Sequence, residues 1–76
     1  MTYANTESIT RHFEAGWSPA GDRFTGARIW RVTSPGKPER WEADVYRVGK
    51  AIATMTGPTR EAVTAELGRW YGQRKV

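Results

Sequence analysis

From Arg40 onward the hydrophobic positions change period once. Trp41, Ala43 and Val45 alternate with Glu42, Asp44 and Tyr46, the period of a half-buried strand. Gly49-Lys50 offers a tight reversal, and Ala51–Thr56 can return as a second strand. Gly57-Pro58-Thr59 then ends the sheet and opens a helix. Thr59 is the expected N-cap, and Glu61 falls in the first turn, where the helix dipole favours acid. Val63, Leu67, Trp70 and Tyr71 follow at helical spacing and form the expected buried stripe, with Trp41 and Val45 beneath it. Beside the stripe run Ala65, Gly68 and Gly72. Either Gly72 ends the helix and Gly68 is tolerated, or the glycines allow close packing of a second helix.

Upstream, Phe24 to Ser34 contains a strand best placed at Ala27–Thr33, with Trp30 and Val32 pointing one way and Ile29 the other. A strand apolar on both faces is central, or its second face meets another element. Pro35-Gly36-Lys37-Pro38-Glu39 reads as a turn, since proline fixes φ and supplies no ladder donor. Ser18–Asp22 is a loop by composition. Before it, Ile9 and Phe13 lie four apart. They suggest a short helix over Glu7–Ala15, capped by Asn5 or Thr6 and stopped by Gly16, with Trp17 folding back on Phe13. The expected fold is thus a single α+β domain over residues 1–76, in α-β-β-β-α order. A three-stranded antiparallel sheet packs against the C-terminal helix, with a short N-terminal helix beside it.

The register of the hairpin decides which side chains share a face. A two-residue Gly49-Lys50 loop puts Trp41, Ala43, Val45 and Ile52 on one face, and Tyr46, Val48, Ala51, Ala53 and Met55 on the other. A slip of one residue sends Ile52 across the sheet. In either register both faces carry apolar side chains, and one long helix covers one face. Trp30, Tyr46, Val48 and Met55 are therefore candidate interface residues, and a homodimer or partner-bound form is expected over a free monomer.

Composition narrows the class of object. With 76 residues, the chain is near the lower limit for an unassisted core. It has no cysteine, which removes disulfides, thiolate metal sites and thiol nucleophiles. Four tryptophans, three tyrosines and two phenylalanines supply the bulk of the apolar area instead. No apolar run approaches the roughly 20 residues of a membrane span. The N-terminal Met1–Glu7 lacks the basic and apolar blocks of a secretory signal. The expectation is a soluble cytoplasmic protein with no membrane partner.

Catalytic chemistry finds little support. His12 is the lone histidine and has no second ligand at helical spacing. Glu42 and Asp44 lie on one strand face, an arrangement open to general acid–base work or a hard cation. The ordinary reading of such a pair is an exposed strand face paired with Arg28, Arg31 or Arg47. Gly21-Asp22-Arg23-Phe24-Thr25-Gly26 lacks the spacing of a phosphate loop. The chain is therefore not expected to be an enzyme, and no metal or cofactor is expected.

Charge supports one functional class. The formal net charge is +4, carried by nine arginines and three lysines against eight acids. Arg23, Arg28, Arg31, Lys37, Arg40, Arg47 and Lys50 cluster on the expected sheet and its turns, interleaved with Trp30, Trp41 and Tyr46. Cations track phosphates, and aromatic faces stack on bases. In layout the chain resembles the double-stranded-RNA-binding fold, with Pro35-Gly36-Lys37-Pro38 where that family's first hairpin loop probes the minor groove. The family's loop histidine is missing, and Thr59-Arg60-Glu61 replaces its lysine cluster. Hairpin-plus-helix modules of small phage and mobile-element DNA-binding proteins are equally similar, and no family is assigned. Two readings result. One is a small basic accessory or regulatory protein that contacts nucleic acid through arginine-rich strands and loops. The other is a protein-interaction module, such as a small phage-type inhibitor or adaptor docking on a larger host protein, since Trp, Tyr and Arg dominate interface hot spots.

Overall fold

The structure is a computed structural model and describes residues 9–75. It contains four strands and one helix: β1 (Thr10–Trp17), β2 (Thr25–Thr33), β3 (Arg40–Arg47), β4 (Lys50–Gly57) and α1 (Arg60–Lys75). The strands form one antiparallel sheet in the order β1-β2-β3-β4, so each pairs with its neighbour in sequence.

The expected three-stranded sheet with an N-terminal helix is therefore corrected. Residues expected to be helical form β1, with seven register pairs along β2 from Thr10↔Thr33 to Trp17↔Ala27. Glu7 and Ser8, and the expected caps Asn5 and Thr6, lie outside the described residues. The physical reason is cooperative: an isolated helix of this length is marginal in water, whereas a ladder on the free edge of β2 satisfies the backbone at once. The register shifts between Phe13 and Ala15, leaving Glu14 as the extra residue of a bulge. Phe13 consequently lies on one face of the sheet, and Ala15 and Trp17 on the other.

The β3–β4 register is also corrected. Arg47 pairs with Lys50, which makes Val48-Gly49 the two-residue turn rather than Gly49-Lys50. Both turn residues have positive φ, 51° at Val48 and 79° at Gly49, as the type I′ hairpin turn requires. A second shift between Val45 and Tyr46 leaves Ile52 unpaired opposite it. Ala53 and Met55 then stand opposite Val45 and Ala43. Met55 is buried in the core rather than at an interface.

One face of the sheet carries the main core cluster, while Val32, also fully buried, lies on the other. Ala27 and Ile29 of β2, Ala43 and Val45 of β3, and Met55 of β4 pack beneath Val63 and Leu67 of α1. Trp17, Trp41, Ala53 and Trp70 close around them. Thr59 Oγ1 accepts the Ala62 N–H at 3.0 Å and caps the helix. Gly57 lets the helix start this close: a Cβ there would lie 3.2 Å from Val63 Cγ2 and 3.3 Å from Ala62 Cβ. Gly72 does not stop the helix, which continues to Lys75, and among the described residues neither Gly68 nor Gly72 has a neighbour where a Cβ would stand. The helix backbone packs over β4, β3 and β2 and meets β1 through a ring contact near its C-terminal end.

At the far end of α1 a single carboxylate gathers four elements. Asp22, in the β1–β2 loop, accepts the Phe24 N–H at 3.0 Å and the Thr25 hydroxyl at 3.0 Å. It also accepts the Tyr71 hydroxyl at 2.9 Å. Arg47 of β3 lies 3.7 Å away. The Tyr71 hydrogen bond, then that from Phe24, holds the Asp22 carboxyl below its ordinary range. The same carboxylate raises the Tyr71 phenol. Trp17 meets the Tyr71 ring edge-on, with centroids 6.2 Å apart.

Candidate nucleic-acid interface

The face opposite the helix has a different chemistry. Alternation places Arg11, Phe13 and Gly16 of β1 there, with Gly26, Arg28, Trp30 and Val32 of β2, and Arg40, Glu42, Asp44 and Tyr46 of β3. Phe13 and Trp30 are register partners and meet edge-on, with centroids 5.6 Å apart. Arg11 lies over Trp30, its Cζ 4.5 Å from the ring centroid, and reaches across β2 to the two carboxylates of β3. Its Nη2 donates to Asp44 at 2.8 Å and stands 3.4 Å from Glu42. The hydrogen bond to Asp44 raises the Arg11 pKa above its ordinary value. Both acids of the face are thus held by one arginine from another strand, not by Arg28, Arg31 or Arg47.

Next to this network the face opens into a shallow groove of about 550 Å³. Its floor includes Gly16 and Gly26, which put no side chains into the space. Phe13, Arg28 and Tyr46 line it, and Gly49 of the hairpin turn marks one end. Phe13 is 58% exposed. The Arg28 guanidinium lies 5.2 Å from the Tyr46 ring centroid, and Arg28 forms no ion pair among the described residues.

The seven expected cations do not form one patch. Arg28 and Arg40 share the helix-free face, with Arg40 donating to Ser34 Oγ at 3.3 Å. Arg31 faces the helix side, with Glu14 at 3.1 Å and Glu39 at 3.4 Å. The Glu14 hydrogen bond is the main reason its pKa is raised. Arg47 donates to Thr25 Oγ1 at 3.0 Å near Asp22. Lys37 lies in the β2–β3 turn, where its N–H donates to the Ser34 carbonyl at 3.2 Å. Arg23 and Lys50 flank the other end of the sheet, with Arg23 5.8 Å from the Phe24 ring. The four expected interface residues separate as well. Trp30 and Tyr46 lie on the helix-free face, Met55 is in the core, and Val48 is 75% exposed at the hairpin tip.

Arg11, Phe13, Gly16 and Gly26 were not expected as site residues. The signal available for β1 was the alternation of Phe13, Ala15 and Trp17 with His12, Glu14 and Gly16. His12 Nε2 stands 3.3 Å from Thr33 Oγ1. Among the described residues, no group of His, Asp and Glu gathers that could hold a metal ion, and no helix is long and apolar enough to cross a membrane. Comparison with protein-family models, with curated proteins and with solved structures gives no match.

Proposed function

We propose that this protein is a small non-catalytic accessory or regulatory protein that binds nucleic acid through the helix-free face of its sheet. The groove carries the reading: two exposed or half-exposed rings, and a guanidinium without an ion pair among the described residues, stand around a floor that includes two glycines. The acids that would repel phosphate are already engaged by Arg11. Arg23 and Lys50 add positive charge at the adjoining end. Titration of labelled DNA and RNA, single-stranded and duplex, at two salt concentrations tests it. Affinity should fall steeply with salt, and absence of binding to every probe at low salt removes the reading.

A second reading, docking on a protein, is favoured by one observation. Val48 is β-branched, holds φ at 51° and is 75% exposed. Its N–H donates to the carbonyl of Phe24 at 3.1 Å, and the Phe24 ring is itself 56% exposed. A strained apolar residue at an exposed tip is a place to look for contact. A stoichiometric protein captured from nuclease-treated lysate at high salt, and lost on Val48→Asn, supports this alternative.

A further inference from the structure

We infer that the groove takes an unpaired base, so that the ligand is single-stranded rather than duplex nucleic acid. The inference rests on the nucleic-acid reading above and specifies its substrate.

The width of the sheet bears on the choice between single strand and duplex. Four strands at about 4.8 Å spacing span about 14 Å of backbone before side chains are added. The major groove of duplex DNA is about 12 Å wide and admits a helix or a two-stranded ribbon. The helix-free face is therefore too broad to enter a duplex groove. A duplex laid on it would offer only phosphates, and of the three arginines of the face Arg11 is spent on Glu42 and Asp44, which leaves Arg28 and Arg40 to meet them.

The chemistry of the groove suits an unstacked base. Phe13 and Tyr46 are ring surfaces, and a ring surface stacks only on a base that has left its own stack. Gly16 and Gly26 leave the space that such a base would fill. Arg28 stands beside Tyr46, placed to meet the phosphate attached to that base. The competing geometry sends the β3–β4 hairpin into a duplex groove as a ribbon, and in that geometry Phe13 on β1 has no part.

The test uses the full chain and three fluorescent probes of equal length. These are a single-stranded oligothymidylate, its duplex with oligoadenylate, and a backbone of the same charge in which the central residues are abasic. The single strand should bind at least tenfold more tightly than the duplex at the same salt. Loss of the bases should weaken binding by about 5- to 150-fold, the usual range for one stacked base. With Arg23, Arg28 and Lys50 meeting phosphates, log K against log salt should have a slope near −2, and Arg28→Gln should make it shallower by about 0.7. Phe13→Leu and Tyr46→Leu should each weaken the single strand on the order of tenfold, with circular dichroism confirming that both variants fold. Salt-dependent binding in which the duplex equals or exceeds the single strand, or in which the abasic probe binds as well as the intact one, overturns this inference and leaves the nucleic-acid reading standing. Failure at low salt of all three probes and of their RNA counterparts removes both.

Discussion

Leu67→Ala tests the packing on which the whole fold depends. Leu67 is fully buried in α1 and sits with Val63 above Ala43, Val45 and Met55. Truncation removes roughly three methylene equivalents, about 2.4 kcal/mol of transfer free energy at about 0.8 each. The surroundings are poorly able to close over the gap, because the floor is hydrogen-bonded sheet bearing alanines at 27 and 43. A cavity term therefore adds to the transfer term, and the loss should fall at about 3–4 kcal/mol, within the usual range of about 2–5. At about 0.05–0.15 kcal/mol per residue, a domain of this size holds only about 4–11 kcal/mol in all. The melting temperature should fall by about 12–32 °C, taking about 4–8 °C per kcal/mol. Urea unfolding followed by tryptophan fluorescence and circular dichroism provides the measurement, with Leu67→Met as the volume-conserving control, expected to lose less than about 1.5 kcal/mol. A loss below about 1 kcal/mol at unchanged m-value would refute the docking of α1 described above.

Three further outcomes are expected. Gly68→Ala should stabilise the protein by about 1 kcal/mol, since a methyl there meets open space and glycine weakens a helix interior by about that much; a loss of stability in the same urea assay would mean that this helix surface is not free. Val48→Asn should stabilise it by about 1 kcal/mol, because asparagine accepts a positive φ that strains valine, and an unchanged or lower midpoint would show that Val48 is not held there. Asp22 has a lowered folded-state pKa, so its contribution is fully present above the unfolded value near 3.8 and is lost as pH falls through the folded value beneath it. Asp22→Asn should therefore be less stable than the parent at neutral pH and lose less on acidification; parallel pH–stability curves for the two proteins would rule this out.

The parts of the fold legible in the chain are those written in local signals. β3 follows from the alternation of Trp41, Ala43 and Val45, and α1 from Thr59 and the Val63–Leu67 spacing. β1 was obscured because Ile9 and Phe13 stand four apart, and because the bulge at Glu14 moves Phe13 to the face opposite Ala15 and Trp17. Met55 was misplaced because glycine at 49 suggests that the turn begins there, while the observed turn asks Val48 to adopt a conformation its side chain disfavours. Arg28 and Tyr46 could be singled out from the chain, but their position beside Phe13 could not. That neighbourhood exists only through β1–β2 pairing, and no local pattern encodes which arginine reaches Glu42 and Asp44.

The reach of α1 has a consequence for dynamics. β2, β3 and β4 lie under the helix, but β1 is held by its ladder to β2, by Arg11 reaching Glu42 and Asp44, and by the Trp17–Tyr71 ring contact. Its amides should exchange with solvent through a local opening that leaves the rest of the sheet intact. Phe13 and Gly16, two of the groove's boundaries, are on that strand. Closing β1 and completing the groove are then the same event, so any occupant of the groove must slow exchange along Thr10–Trp17 first, by an amount set by its own affinity.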